Sequence, residues 1–270
     1  MRELNLNDIQ KLETEMLIQL TDYIDRHNLK YYLYYGTLLG AVRHKGFIPW
    51  DDDVDIIMPR PDYEALYAIM KEEPLPMGMR PTSLETNDST YPWITVINPA
   101  TKVEAVGVGT EENLWIDIFP MDGVPEDKEA ETRLHNEERR LYENHYRSRY
   151  PLFKGNGLIR TAAKFPLQVY RHILGPAYYA KKMSALAQTY DYKTSKRVNQ
   201  YAYDTRIIPA YDKSLLEPGV MREFEGHLFR CPTDPEQVLS ITYGDYMTLP
   251  PEDRRKGNIL KAWTIDENAK

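Results

Sequence analysis

The chain has 270 residues, a formal net charge of -7 and one cysteine, Cys231. That length buries a full core as one large domain or one domain with an insertion, and the acidic balance argues against nucleic acid as a partner. A lone cysteine excludes an internal disulfide and a cysteine-based zinc cluster, and it fits a reducing cytoplasm. No apolar run approaches the length that spans a bilayer, and residues 1–28 lack the apolar block of a secretion signal.

Ile9, Leu12, Met16, Leu20 and Ile24 recur at helical spacing and predict an amphipathic first helix. Residues 30–35 read as a tyrosine-rich strand, turned by Gly36 into a short helix over 37–44. A strand over 54–58 is closed by Pro59, and a helix over 62–72 sets Tyr63, Leu66, Ile69 and Met70 on one side. Residues 93–98 and 102–106 read as two hairpin-paired strands broken at Asn98-Pro99. A further strand over 114–119 is ended by Pro120 and Asp122-Gly123, and 126–150 reads as a highly charged helix. From Arg147 to Arg197, eleven Lys or Arg stand against one acid, Asp191. Tyrosines are interleaved with them, and Gly155, Gly157, Pro166 and Gly175-Pro176 punctuate the run, which reads as a helical insertion or cap. Residues 222–230 then predict a strand and 235–242 a short helix. The whole is a mixed α/β core with helices laid on a sheet.

The chemistry concentrates in two places. Asp53 and Asp55 lie two apart on the third-segment strand, so their side chains share a face. Two such carboxylates repel unless a cation sits between them, and the oxygen donors suit Mg²⁺ or Mn²⁺. Asp117 stands alone among Trp115, Ile116, Ile118 and Phe119, where an unpaired carboxylate is costly, and is the natural third ligand. Asp51 and Asp52 either support the pair or stand exposed. Gly36-Thr37 opens a helix whose N–H groups suit a phosphate, and Arg43, His44 and Lys45 follow on the link to the acids. An EF-hand loop is excluded because Ile56 stands where a glycine is required.

The stretch Gly36-Thr37-Leu38-Leu39-Gly40-Ala41-Val42-Arg43-His44-Lys45-Gly46-Phe47-Ile48-Pro49-Trp50-Asp51-Asp52-Asp53-Val54-Asp55 resembles the signature of LicD-family phosphotransferases. Residues 115–125, from Trp115-Ile116-Asp117, and residues 243–251, from Tyr243-Gly244-Asp245-Tyr246, resemble the family's later blocks. The resemblance implies a nucleotidyltransferase-like mixed sheet flanked by helices. The chain then divides into a catalytic core over 1–125, a helical basic insertion over 126–209 that carries no recognised motif, and a segment over 210–270 that completes the core. The resemblance further implies Mg²⁺-dependent (or Mn²⁺-dependent) transfer of an alcohol phosphate such as phosphocholine from a CDP-activated donor to a glycan, a teichoic acid or a lipopolysaccharide sugar. Asp53, Asp55 and Asp117 are then the catalytic and metal-holding residues, and Gly36, Thr37, Arg43 and Lys45 bind the donor phosphates. Trp50, Trp93 and Trp115 are candidates for an aromatic cage around a quaternary ammonium. The expected setting is cytoplasmic, peripheral at the inner membrane face, with the basic 147–197 segment meeting an anionic acceptor or membrane. Two other uses of the same acids stay open: a glycosyltransferase holding a nucleotide-sugar, and a nucleotidyltransferase moving NMP.

Overall fold

The computed structural model describes residues 1–105, 111–149, 158–201 and 208–265. In chain order the elements are β1 (Arg2–Leu4), α1 (Leu6–Arg26), β2 (Tyr32–Leu33), α2 (Tyr35–Arg43), β3 (Val54–Pro59), α3 (Arg60–Glu72), β4 (Arg80–Thr82), β5 (Ile94–Ala105) and β6 (Glu111–Val124). There follow α4 (Lys128–Ser148), α5 (Leu158–Ala187), β7 (Arg197–Asn199), β8 (Tyr211–Asp212), β9 (Val220–Phe224), β10 (His227–Cys231), α6 (Pro235–Tyr243) and β11 (Ile259–Thr264). The fold is mixed α/β, as the pattern predicts. It divides into one unit of residues 1–81, 94–120 and 211–270, and a second of residues 82–93 and 121–210.

In the first unit the sheet runs β1-β11-β5-β6-β3-β2. Every residue of β3 is buried, which is why its sequence is a continuous apolar run apart from Asp55. β2 pairs antiparallel with β3, Tyr32 opposite Ile57 and Leu33 opposite Ile56. α1 starts on a capping box in which Asn5 Oδ1 accepts from the Asp8 N–H at 3.0 Å and the Asp8 carboxylate accepts in return from the Asn5 N–H at 3.4 Å. Its Met16, Leu17, Leu20 and Ile24 are wholly buried.

The second unit packs α4 against α5. Its core gathers Val124, Leu134, Ala187, Tyr201 and Ala210. Gly175, at φ 73°, interrupts α5, while Pro166 sits within the helix rather than ending it. Tyr150, Gly155, Gly157 and Val106 lie outside the described residues. Among the described residues no helix is long and apolar enough to cross a membrane.

The structure corrects four sequence readings. Residues 94–105 are one strand, not a hairpin: Asn98-Pro99 marks a shift of register against β6, and Asn98 Oδ1 caps the Ala100 N–H at 3.0 Å. β6 passes through Pro120 and continues to Val124, because after its β5-paired stretch it pairs with β7 over Asp122–Val124. Residues 220–231 are a hairpin, β9 and β10, joined at Glu225 (φ 50°) and Gly226 (φ 76°). The first and last strands, β1 and β11, were not foreseen; they pair with each other, Arg2 opposite Thr264.

Candidate active site

The link between the Gly-Thr helix and the acids is built by the β2–β3 pair. The Tyr34 N–H donates to the Asp55 carbonyl at 3.0 Å, and the Asp55 N–H donates to Thr37 Oγ1 at 2.9 Å. The start of α2 is thereby fixed against the start of β3. α2 has no side-chain cap, and Tyr35 opens it at φ 43°, a strained conformation for a bulky residue. A Cβ at Gly36 would stand 2.6 Å from Asp51 Oδ2, so a side chain there would displace that carboxyl. The bare glycine backbone lets the Asp51 carboxyl lie against the helix start.

The aspartates separate into two roles. Carboxylate oxygens of Asp51, Asp52 and Asp53 lie within 4.8 Å of one another. Asp52 is buried, and its two oxygens accept from the Asn258 and Ile259 N–H groups, each at 2.7 Å. It ties the start of β11 to the acidic loop, and a side chain at Gly257 would collide with it. Asn258 Nδ2 donates to Asp53 Oδ2 at 3.2 Å. Burial first, then the charges of Asp53 and Asp52, push Asp51 up to about 8. Burial, then Asp52, pushes Asp53 up to about 6. Asp55, 7% exposed, is driven well above the usual carboxylate range by burial and then by Asp53, Asp117 and Asp51.

Asp117 sits on β6 opposite Thr95 of β5, whose Oγ1 donates to Asp117 Oδ1 at 2.6 Å. The sequence-predicted trio is therefore one electrostatic group, since Asp53 and Asp117 are the two charges that weigh most on Asp55. The tightest oxygen cluster, however, is the consecutive run 51–53.

Glu13 was missed by sequence reasoning. It is wholly buried on α1, neither carboxylate oxygen has a hydrogen-bond partner, and its pKa is raised well above normal by burial and then by Asp53, Asp52, Asp51 and Asp55. One turn earlier on the same helix, Gln10 Nε2 donates to the Asp51 carbonyl at 2.9 Å, so this face of α1 meets the acidic loop. The signal was present in the sequence: Glu13 falls at the apolar period, four after Ile9 and three before Met16.

The basic residues have partners outside the acidic run. Arg43 donates to the Tyr246 carbonyl at 2.5 Å and to His44 Nε2 at 2.9 Å. Burial lowers the pKa of both, and the Arg43 charge lowers His44 further. Lys45, at φ 59°, sits 3.8 Å from the Glu223 carboxylate on β9. Neither is among the charges that weigh on Asp51, Asp53 or Asp55. Arg255, with no role assignable from sequence, lies over the Trp50 ring at 5.4 Å and donates to the Pro250 carbonyl at 2.8 Å. Trp115 lies on β6 opposite Ile97, and Trp93 belongs to the second unit, stacked on Tyr91 at 4.6 Å.

These acids fit a hard divalent cation. Carboxyls that raise one another's pKa, together with an orphaned buried carboxylate at Glu13, form an oxygen-only donor set short of positive charge.

Residues 28–154 match the family model described as LicD/FKTN/FKRP, nucleotidyltransferase domain. That segment holds Gly36, Thr37, Arg43, Lys45, Asp53, Asp55 and Asp117 but neither Glu13 nor Asn258. The chain is 28% identical over 281 residues to the lipopolysaccharide cholinephosphotransferase LicD of Haemophilus influenzae, covering 98% of this chain and 100% of that protein. A short match, 57% identical over 35 residues, covers 13% of this chain and 13% of an uncharacterized protein of Rickettsia prowazekii. Residues 28–154 are thus similar to the LicD/FKTN/FKRP nucleotidyltransferase domain, and the whole chain is similar to a lipopolysaccharide cholinephosphotransferase.

Proposed function

We propose that this protein is a transferase of phosphorus-containing groups that moves phosphocholine, or a similar alcohol phosphate, from a CDP-activated donor to a sugar hydroxyl of a cell-surface glycan. A lipopolysaccharide-type acceptor is favoured over teichoic acid by the full-length similarity to the Haemophilus enzyme. The observation that carries the reading is the acidic centre itself, in which carboxylate oxygens of Asp51, Asp52 and Asp53 lie within 4.8 Å of one another and the charges of Asp53, Asp117 and Asp51 weigh on buried Asp55.

Asp53, Asp55 and Asp117, with Asp51 beside them, would hold Mg²⁺ or Mn²⁺. When bound, the cation supplies charge neutralisation for the donor diphosphate and the departing CMP. The protein's own groups do the rest. Thr37 holds the Asp55 backbone in register with the start of α2. The Thr95 hydroxyl orients Asp117, which is then placed to accept the proton of the acceptor hydroxyl. Gly36 and the N–H groups after it offer a cradle for a donor phosphate. Arg43 and Lys45 join them by exchanging the Tyr246 carbonyl and Glu223 for phosphate oxygens. One face of Trp50 already carries the Arg255 guanidinium, so a choline ammonium on that face would displace it.

A thermal-shift panel tests the reading. CDP-choline, CDP-glycerol and CDP-ribitol should raise Tm only when Mg²⁺ is present. A shift with UDP- or GDP-sugars and none with CDP-alcohols would instead support a glycosyltransferase, and a product that retains the nucleotide would support NMP transfer.

A further inference from the structure

The geometry points to an anionic lipid surface as the partner of α5. Gln168 Nε2 donates to the Arg147 carbonyl at 2.8 Å and Arg171 Nε to Asn144 Oδ1 at 2.7 Å, so these residues fix which side of α5 faces α4. At 100° per residue, Tyr170 and Ile173 turn away from that side and Leu167 stands at its border. Leu167, Tyr170 and Ile173 are 49%, 56% and 76% exposed, an unusual investment of apolar surface for one helical turn and a half. Tyr178, 40% exposed, lies beyond the Gly175 interruption, with Lys182 5.8 Å from its ring and Lys181 exposed.

Charge selects the occupant. Residues 151–190 contain six Lys or Arg and no Asp or Glu. Of these, Lys181 and Lys182 are exposed on α5 beyond Gly175 and give this end of the helix a positive surface. A helix with exposed aliphatic side chains, boundary tyrosines and flanking lysines suits the headgroup region of an anionic bilayer, where the apolar side chains enter the acyl boundary and the lysines meet phosphates. The helix lies on the membrane, since none of the described helices can cross one. This attachment does not depend on the phosphotransferase reading.

Flotation of the full chain with vesicles tests it. The wild type should float with phosphatidylcholine–phosphatidylglycerol vesicles and stay behind with phosphatidylcholine alone. Leu167→Ser/Tyr170→Ser/Ile173→Ser and, separately, Lys181→Glu/Lys182→Glu should each weaken partitioning by at least about tenfold, with unchanged circular dichroism showing that both still fold. Failure of the wild type to float, or equal flotation of the folded triple variant, would overturn the proposal. So would a dimer in light scattering that the triple variant abolishes, because these side chains would then be covered by a second copy.

Discussion

Asp51 and Asp53 bring carboxylate oxygens within 4.8 Å of each other, and burial followed by the Asp53 charge pushes Asp51 up to about 8. A carboxyl raised that far keeps its proton near neutral pH in the cation-free centre, and a divalent cation would release it. With its pKa raised on folding, Asp51 favours the fold fully below the ordinary carboxylate range and opposes it increasingly as pH rises toward about 8. Cation-free protein should therefore lose stability between about pH 4 and pH 8, on the order of a few kcal/mol in total. Asp51→Asn should flatten that slope, which thermal melts across the range will read. An unchanged slope would mean that Asp51 does not hold that proton.

Asp52 predicts a different behaviour from its neighbours. Its carboxylate binds two backbone N–H groups at the head of β11. Asp52→Ala should cost about 2–4 kcal/mol in denaturant unfolding, because two charge-assisted hydrogen bonds are lost. Cation affinity of the folded fraction should change far less than in Asp53→Asn. Equal loss of cation binding in the two variants would make Asp52 a ligand rather than a strut.

Glu13→Gln removes a buried carboxyl with no hydrogen-bond partner. The cation-free protein should become more stable by about 1–2 kcal/mol. A lower Tm would show that the glutamate is satisfied in a way its burial and orphaned oxygens do not express.

Gly36→Ala places a methyl 2.6 Å from Asp51 Oδ2 and forces that carboxyl away from the start of α2. Helix content should be unchanged while transfer falls by about 10- to 100-fold. Thr95→Val frees Asp117 from its hydroxyl donor. It should lower kcat by about tenfold with little change in KM, as expected when a reacting group is positioned less well.

The local elements were legible because their signals are local. Apolar periodicity located α1, α3 and β3, and the Gly36-Thr37 turn and the acids of β3 lie within twenty residues of one another. What sequence concealed depended on partners far along the chain. Asn98-Pro99 looks like a hairpin break until β6 is seen to run alongside it. Asp52 looks like a member of the acidic run until the N–H groups of Asn258 and Ile259 claim it, some two hundred residues later. Lys45 and Arg43 look poised toward phosphate in sequence, yet Glu223 and the Tyr246 carbonyl hold them. Glu13 was hidden differently: its helix was read for its apolar stripe, and the charge inside that stripe was passed over.

The central claim is that the acidic centre works with a divalent cation to transfer phosphocholine. The most direct measurement follows labelled phosphocholine from CDP-choline into lipopolysaccharide with Mg²⁺, after chelation, and after Mg²⁺ is restored, for wild type and Asp53→Asn. The account predicts transfer by wild type that chelation abolishes and Mg²⁺ restores, and a loss of about three orders of magnitude or more in Asp53→Asn at saturating Mg²⁺. Transfer that survives chelation, or full activity of Asp53→Asn, would contradict it.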